Sequence, residues 1–335
     1  MNQDTLWLQV PSAKIQPLSL LKYSNIPDKL ERIAIKLTSL QNREELYLDK
    51  INMVLFIADQ GIVNHDANSL TQPVTDGFIN KFSPGGDASQ IIHEKFNAKI
   101  EVINLGTKIN FNSIEGVKHS ELATSTANFC HAPAMNNEQL ARAINIGRQS
   151  AQRAYINGAQ LFIASEINTA NPLSALAMTC ALLNTLPEQL SDIDSEKCKI
   201  LHHALKQHNM QLTSPLEILR HLGSFEIAAL TGGYLCSAHI GMPVLIDGFT
   251  SAVAALITEK LCPGAERWFL YSHTSNNSAH KLILETIGAQ SLLQINQSLN
   301  DIAGIAASLS LLHLANSNHN EIINFSKESL LKRYS

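Results

Sequence analysis

Charge is scarce in this chain. Only 16% of its 335 residues are Asp, Glu, Lys or Arg, and the 25 basic residues nearly balance the 29 acidic ones. The densest basic stretch, "LLKRYS" at the end, is too short to be an electrostatic footprint for nucleic acid. Long apolar runs are missing too: none approaches the ~18 residues of a membrane span, and the opening "MNQDTLWLQVPSAK" has no positive segment leading into an apolar one. A cytoplasmic protein without nucleic-acid or membrane partners is expected. The five cysteines (Cys130, Cys180, Cys198, Cys236, Cys262) are odd in number and lack CxxC spacing, which argues against a disulfide framework and a clustered zinc site. Reduced thiols are expected. The 13 histidines form no HExxH or HxH pair, and His202 and His203 face different sides of any helix, so metal catalysis is not indicated. GxSxG, Walker and GxGxxG signatures are absent, as are internal repeats and low-complexity sequence.

What the chain does have is apolar material, 45% of its residues, enough for a sizeable core. It recurs in short β-rich runs: "MVLFIAD" (53–59), "KIEVINLG" (99–106), "AQLFIASE" (159–166), "MPVLIDGF" (242–249) and "RWFLYSH" (267–273). Nearly continuous apolar centres suit strands covered on both faces, and the intervening segments are long enough for helical crossovers. This predicts an α/β fold, a doubly wound and mainly parallel sheet over residues 50–290, with a smaller helical lobe from 1–49 plus 291–335. "PVTDGFINKFSPGGDASQIIHEKF" predicts helices broken at Ser83–Gly86, and "SPLEILRHLGSFEIAALTGGYLCSAHIG" predicts two helices, with Ser224 as the second N-cap.

The strand candidates end in polar groups: Asp59-Gln60-Gly61, Asn104-Leu105-Gly106, Glu166-Ile167-Asn168, Asp247-Gly248-Phe249 and Ser272-His273. In an open parallel sheet these ends face one crevice, where ligands bind near a topological switch point. Each acid could equally cap the next helix. Gly85-Gly86 and Thr231-Gly232-Gly233 are candidate anion turns, although glycines inside "ALTGGYL" also suit close helix packing.

The segments "ADQGI", "VTDGFINKFSPGGDASQI", "IEVINLG", "SEINTANPLSALA", "LGSFEIAALTGG", "GMPVLIDGFTSAVAAL" and "YSHTSNNSAH" occur in the order found in nicotinate-nucleotide:dimethylbenzimidazole phosphoribosyltransferases, a resemblance spanning roughly residues 28–315. It implies a homodimer without metal or redox cofactor. Phosphoribose would move from nicotinate mononucleotide to a benzimidazole nitrogen, giving the α-ribazole phosphate of the cobalamin lower ligand. It also implies site roles. Asp301 in "SLNDIAG" stands where the family has its glutamate base, one methylene shorter. Glu166 in "SEINTAN" matches the family's glutamate near the ribose, Asn171 matches its asparagine, and Lys197 falls where a lysine can serve the phosphate. Asp247, Gly248, Gly85, Gly86, Ser272 and His273 would line the pocket, and Phe78 and Phe249 would shape its acceptor end. The chain departs from the family in "DQG" for "DHG", in "LNTLPEQL" for a Gly-rich phosphate turn, and in Asn276 or Asn277 for a glutamate. Altered substrate use, or a binding scaffold or partner subunit without turnover, are the alternatives these changes raise.

Overall fold

All eight residues of β1 (Ile51–Ala58) are buried. Val54, Phe56 and Ala58 enter one apolar cluster while Met53, Leu55 and Ile57 enter a second, so the strand has a core on each face. The structure, a computed structural model, describes residues 28–62, 76–83, 86–108, 114–167, 172–294 and 303–334. Within them β1 pairs in parallel with β2 (Ala98–Gly106) on one side and β4 (Leu161–Ile167) on the other. The sheet continues through β5 (Val244–Ile246), β6 (Phe269–Thr274) and β7 (Ser291–Gln294), with β3 (Val117–His119) at the opposite edge. Its order is β3-β2-β1-β4-β5-β6-β7, parallel throughout. Because the chain builds outward in both directions from β1, the carboxyl ends of β1 and β4 flank the switch point.

All five expected strands are present. β3 and β7 were not foreseen, because each is short and only partly buried and lacks a continuous apolar centre. Residues 291–335, expected in a helical lobe, therefore begin with a strand of the sheet: Leu292 is buried and Ser291 is in register with Tyr271.

On one face, α1 (Asp28–Gln41) and α11 (Ala303–Tyr334) cover the sheet with α2 (Asp76–Phe82) and α3 (Asp87–Phe96). Leu30, Ile33, Leu37, Ile305, Leu309 and Leu312 join Leu55, Leu245 and Leu270 there. α11 is also clipped to the turn before β1. Asn320 exchanges hydrogen bonds with Leu46 at 3.0 and 2.9 Å, and His319 Nε2 lies 2.7 Å from the Glu44 carbonyl.

The other face carries α4 (Asn137–Ile156), α5 (Leu173–Leu183), α8 (Phe225–Ile240) and α9 (Gly248–Leu261), with α6 (Ser195–His208), α7 (Pro215–Leu222) and α10 (Ser278–Thr286) around them. α8 has no polar face to show water: its first eleven residues are all buried. It meets α4 through glycines. A Cβ on Gly232 would fall 2.7 Å from the Ile144 carbonyl carbon, and one on Gly147 would fall 2.6 Å from that of Ala229. Thr231-Gly232-Gly233 thus serves helix packing. Ser224 caps α8 as expected, accepting from the Ile227 amide at 3.3 Å. The five cysteines are free, and among the described residues no helix is long and apolar enough to cross a membrane.

Candidate active site

Asp247 follows β5, and its side chain does not cap α9. It accepts instead from Ser272 Oγ at 2.6 Å, across the sheet on β6. His273 Nδ1 is 2.9 Å from that hydroxyl and 3.5 Å from Asp247 Oδ1. Ser272 has one proton and gives it to the carboxylate, so it accepts from His273 Nδ1–H. The chain turns out of β5 with φ +78° at Gly248, where a Cβ would meet nothing within 4 Å. Conformation rather than space calls for glycine there. α11 closes the group from above: a Cβ on Gly304 would lie 3.0 Å from His273 Nδ1 and 3.1 Å from Asp247 Oδ1. His280 stands edge-on to His273, ring centroids 6.0 Å apart, and burial holds its pKa down at about 3. It is a neutral wall.

Glu166, in register with Phe56 beside the switch point, lies close enough to Asp247 for that charge to act on it. Burial pushes its pKa up to about 7, Asp247 adds to the rise, and Thr250 opposes it. The residue is partly open to solvent, but its Oε2 is closed off and has no hydrogen-bond partner. Beyond it lies Glu226, wholly buried in the first turn of α8, its pKa raised to about 8 by burial foremost and by Glu166, while its own backbone amide, Ser224 and Gln60 oppose the rise. Gln60, just past β1, adjoins it and accepts from Ser174 Oγ at 2.9 Å. Sequence reasoning passed over Glu226, because a glutamate after a serine N-cap is ordinary helix chemistry. The available signal was a lone charge inside the apolar run "FEIAAL".

Asp59, Asn104, Gly86 and Lys197 have close neighbours of their own. Asp59 is structural, its Oδ2 accepting from the Lys108 amide at 2.8 Å, and Asn104 Oδ1 accepts from the Gly106 amide at 2.9 Å. Gly86 starts α3 so close to α2 that a Cβ would fall 2.6 Å from the Lys81 carbonyl carbon. Lys197 lies in the first turn of α6, with Nζ 3.1 Å from Asp194. Gly85, Asn171 and Asp301 fall outside the described residues, as does the side chain of Phe78. Phe249 leans on His280 at 6.3 Å between ring centroids. Among the described residues no three His, Cys, Asp or Glu side chains are grouped to hold a metal ion.

Comparison with known proteins identifies the family. A phosphoribosyltransferase family model matches residues 27–329. The chain is 35% identical over 329 residues to the nicotinate-nucleotide–dimethylbenzimidazole phosphoribosyltransferase of Ectopseudomonas mendocina (strain ymp), covering 96% of this chain and 94% of that one. It is 33% identical to the protein of the same name from Xanthomonas campestris pv. campestris (strain 8004), covering 96% and 97%. The crystal structure of CobT from Thermus thermophilus superposes with a TM-score of 0.78 at 28% identity, over 88% of this chain and 92% of that one. With carboxylates and a Ser–His pair gathered at the mouth of a parallel sheet, and likeness along nearly its whole length, the chain belongs to the nicotinate-nucleotide–dimethylbenzimidazole phosphoribosyltransferase family.

Proposed function

We propose that this protein transfers phosphoribose from nicotinate mononucleotide to 5,6-dimethylbenzimidazole or a related base, giving α-ribazole 5'-phosphate. The observation that carries the reading is the grouping of Glu166, Asp247, Ser272 and His273 at the carboxyl ends of β4, β5 and β6 in a chain whose relatives bear that activity in their names. The acceptor nitrogen attacks the anomeric carbon from the face opposite nicotinate. A new carbon–nitrogen bond forms as the old one breaks, nicotinate leaves with the bonding pair, and the acceptor's N–H proton passes to a carboxylate. The ribose gains positive charge on the way, so holding the partners in line and setting anions beside the sugar supply most of the rate.

Glu166 serves as the anion facing that charge, and the Asp247–Ser272–His273 group fixes the cleft wall. Asp301 takes the proton. In support, Gly304 packs against Asp247 and His273, and three residues of chain reach at most about 11 Å. Gly85, Gly86, Asn171, Gly248 and Lys197 bind substrate in the same reading. The protein acts as a homodimer in the cytoplasm, a location in keeping with its five free cysteines.

Incubation with nicotinate mononucleotide and 5,6-dimethylbenzimidazole is expected to release nicotinate and α-ribazole phosphate in equal amounts. No nicotinate with any azole or phenolic acceptor would instead identify a scaffold without turnover. Gly304→Ala is a sharper probe. Its methyl group displaces His273 and Asp247 by a few tenths of an ångström, which is expected to lower kcat/KM about tenfold with little loss of stability, since alanine favours the helix by about 1 kcal/mol. Unchanged kinetics would detach α11 from the site.

A further inference from the structure

Between α1 and the β6–β7 edge of the sheet lies a cavity of about 580 Å³, within the range of small-molecule sites. None of Glu166, Asp247, Ser272 or His273 lines it. β7 has four residues and one buried side chain, Leu292, so it fills little of the space beside α1. Lys29, Arg32 and Lys36 are all the basic residues of α1, and all three line the cavity while Glu31 of the same helix does not. At spacings of three and four they share one helix face over about 10 Å, next to the buried Leu30, Ile33 and Leu37 that hold α1 to the sheet. A solvated helix face usually mixes its signs. Here they are sorted.

The lining selects the ligand. Lys36 Nζ donates to the Phe269 carbonyl at 2.6 Å, which ties it to the start of β6; burial lowers its pKa and the charge of Glu266, in the same cavity, opposes that. Two hydroxyls of the wall are spent on the protein: Ser291 Oγ donates to the Leu293 carbonyl at 2.9 Å and so accepts from Thr274 Oγ1 at 2.8 Å. Lys29 and Arg32, both exposed, have no ion-pair partner among the described residues. Three cations against the one carboxylate of Glu266 leave an excess that a dianion balances. A phosphate monoester carries about two negative charges near pH 7, and the planar fork of arginine takes two of its oxygens at once. A monocarboxylate would leave half of the excess uncompensated.

We propose that this cavity is a second ligand site, taking a small phosphate monoester with its phosphate on Lys29 and Arg32 and its body along β7, where the exposed amides of Gln290 and Gln294 suit hydroxyl groups. Lys36 supplies the third charge. The site shares no residue with the cleft group, so it holds whether or not that group carries out the transfer.

Acetylation of the intact protein by acetic anhydride, read peptide by peptide by mass spectrometry, tests the site at its own side chain. Glucose 6-phosphate is expected to slow the reaction of Lys29 along a saturating curve, while Lys99, exposed on β2 at the other side of the sheet, reacts at an unchanged rate. Glucose, or sodium chloride at the same ionic strength, should protect neither. Arg32→Ser changes an exposed position and leaves the core intact. It should raise the half-protecting concentration about tenfold, the worth of one charge-assisted contact. Arg32→Lys, which keeps the charge without the fork, should fall between the two. Lys29 reacting equally fast with and without glucose 6-phosphate overturns the assignment, as does protection that chloride reproduces or that Arg32→Ser leaves intact.

Discussion

Glu166→Gln is expected to lower kcat by about 10²–10³-fold, the scale on which losing one preorganised electrostatic group slows an enzyme. The amide has the same shape, so substrate should still bind, and the loss should fall on kcat rather than KM. The same substitution should stabilise the fold. Burial raises the Glu166 carboxyl from 4.5 to about 7, so the folded chain binds that proton more tightly than the unfolded one. Wild-type stability then declines as pH climbs from about 4.5 to about 7 and stays lowered above that. Glutamine cannot ionise. Melting curves should coincide near pH 4.5 and separate by pH 8, with the variant melting higher. A variant with kcat within threefold of wild type, or one melting lower at pH 8, would refute the role.

Gly147→Ala is expected to destabilise the protein by about 3 kcal/mol, the upper part of the range for overpacking a core. On an exposed helix the same change stabilises by up to about 1 kcal/mol. Here the sign reverses. The new Cβ would sit 2.6 Å from the Ala229 carbonyl carbon and 2.9 Å from the Gly233 amide nitrogen, and backbone cannot rotate aside as a side chain can. α4 and α8 must separate, which opens space around Tyr234, whose hydroxyl donates to the Ala164 carbonyl at 2.8 Å. Urea unfolding would measure the change, and a variant as stable as wild type would show that the two helices do not meet this closely.

Strands such as Ile51–Ala58 were legible because burial on both faces writes itself into composition. β7 was not, since an edge strand of four residues with one buried side chain leaves no such mark. The site was half legible. Asp247, Ser272 and His273 belong together, as their positions at strand ends implied. Asp59 and Asn104 looked the same on paper but accept from backbone amides, Asp59 from Lys108 past the end of the neighbouring β2 and Asn104 from Gly106 two residues on. Glu226 is the clearest omission. It is wholly buried by the packing of its helix, and sequence does not record which end of a helix is covered.

α11 divides the labour between its two ends. Its far portion is moored to the Glu44–Leu46 turn, while Gly304 at its start lies over Asp247 and His273. The floor is held by the hydrogen-bonded ladder, whereas the roof is one helix held to the sheet by Ile305, Leu309 and Leu312. Substitutions in the first turn of that helix reach Asp247 and His273 directly, with no change in the sheet itself.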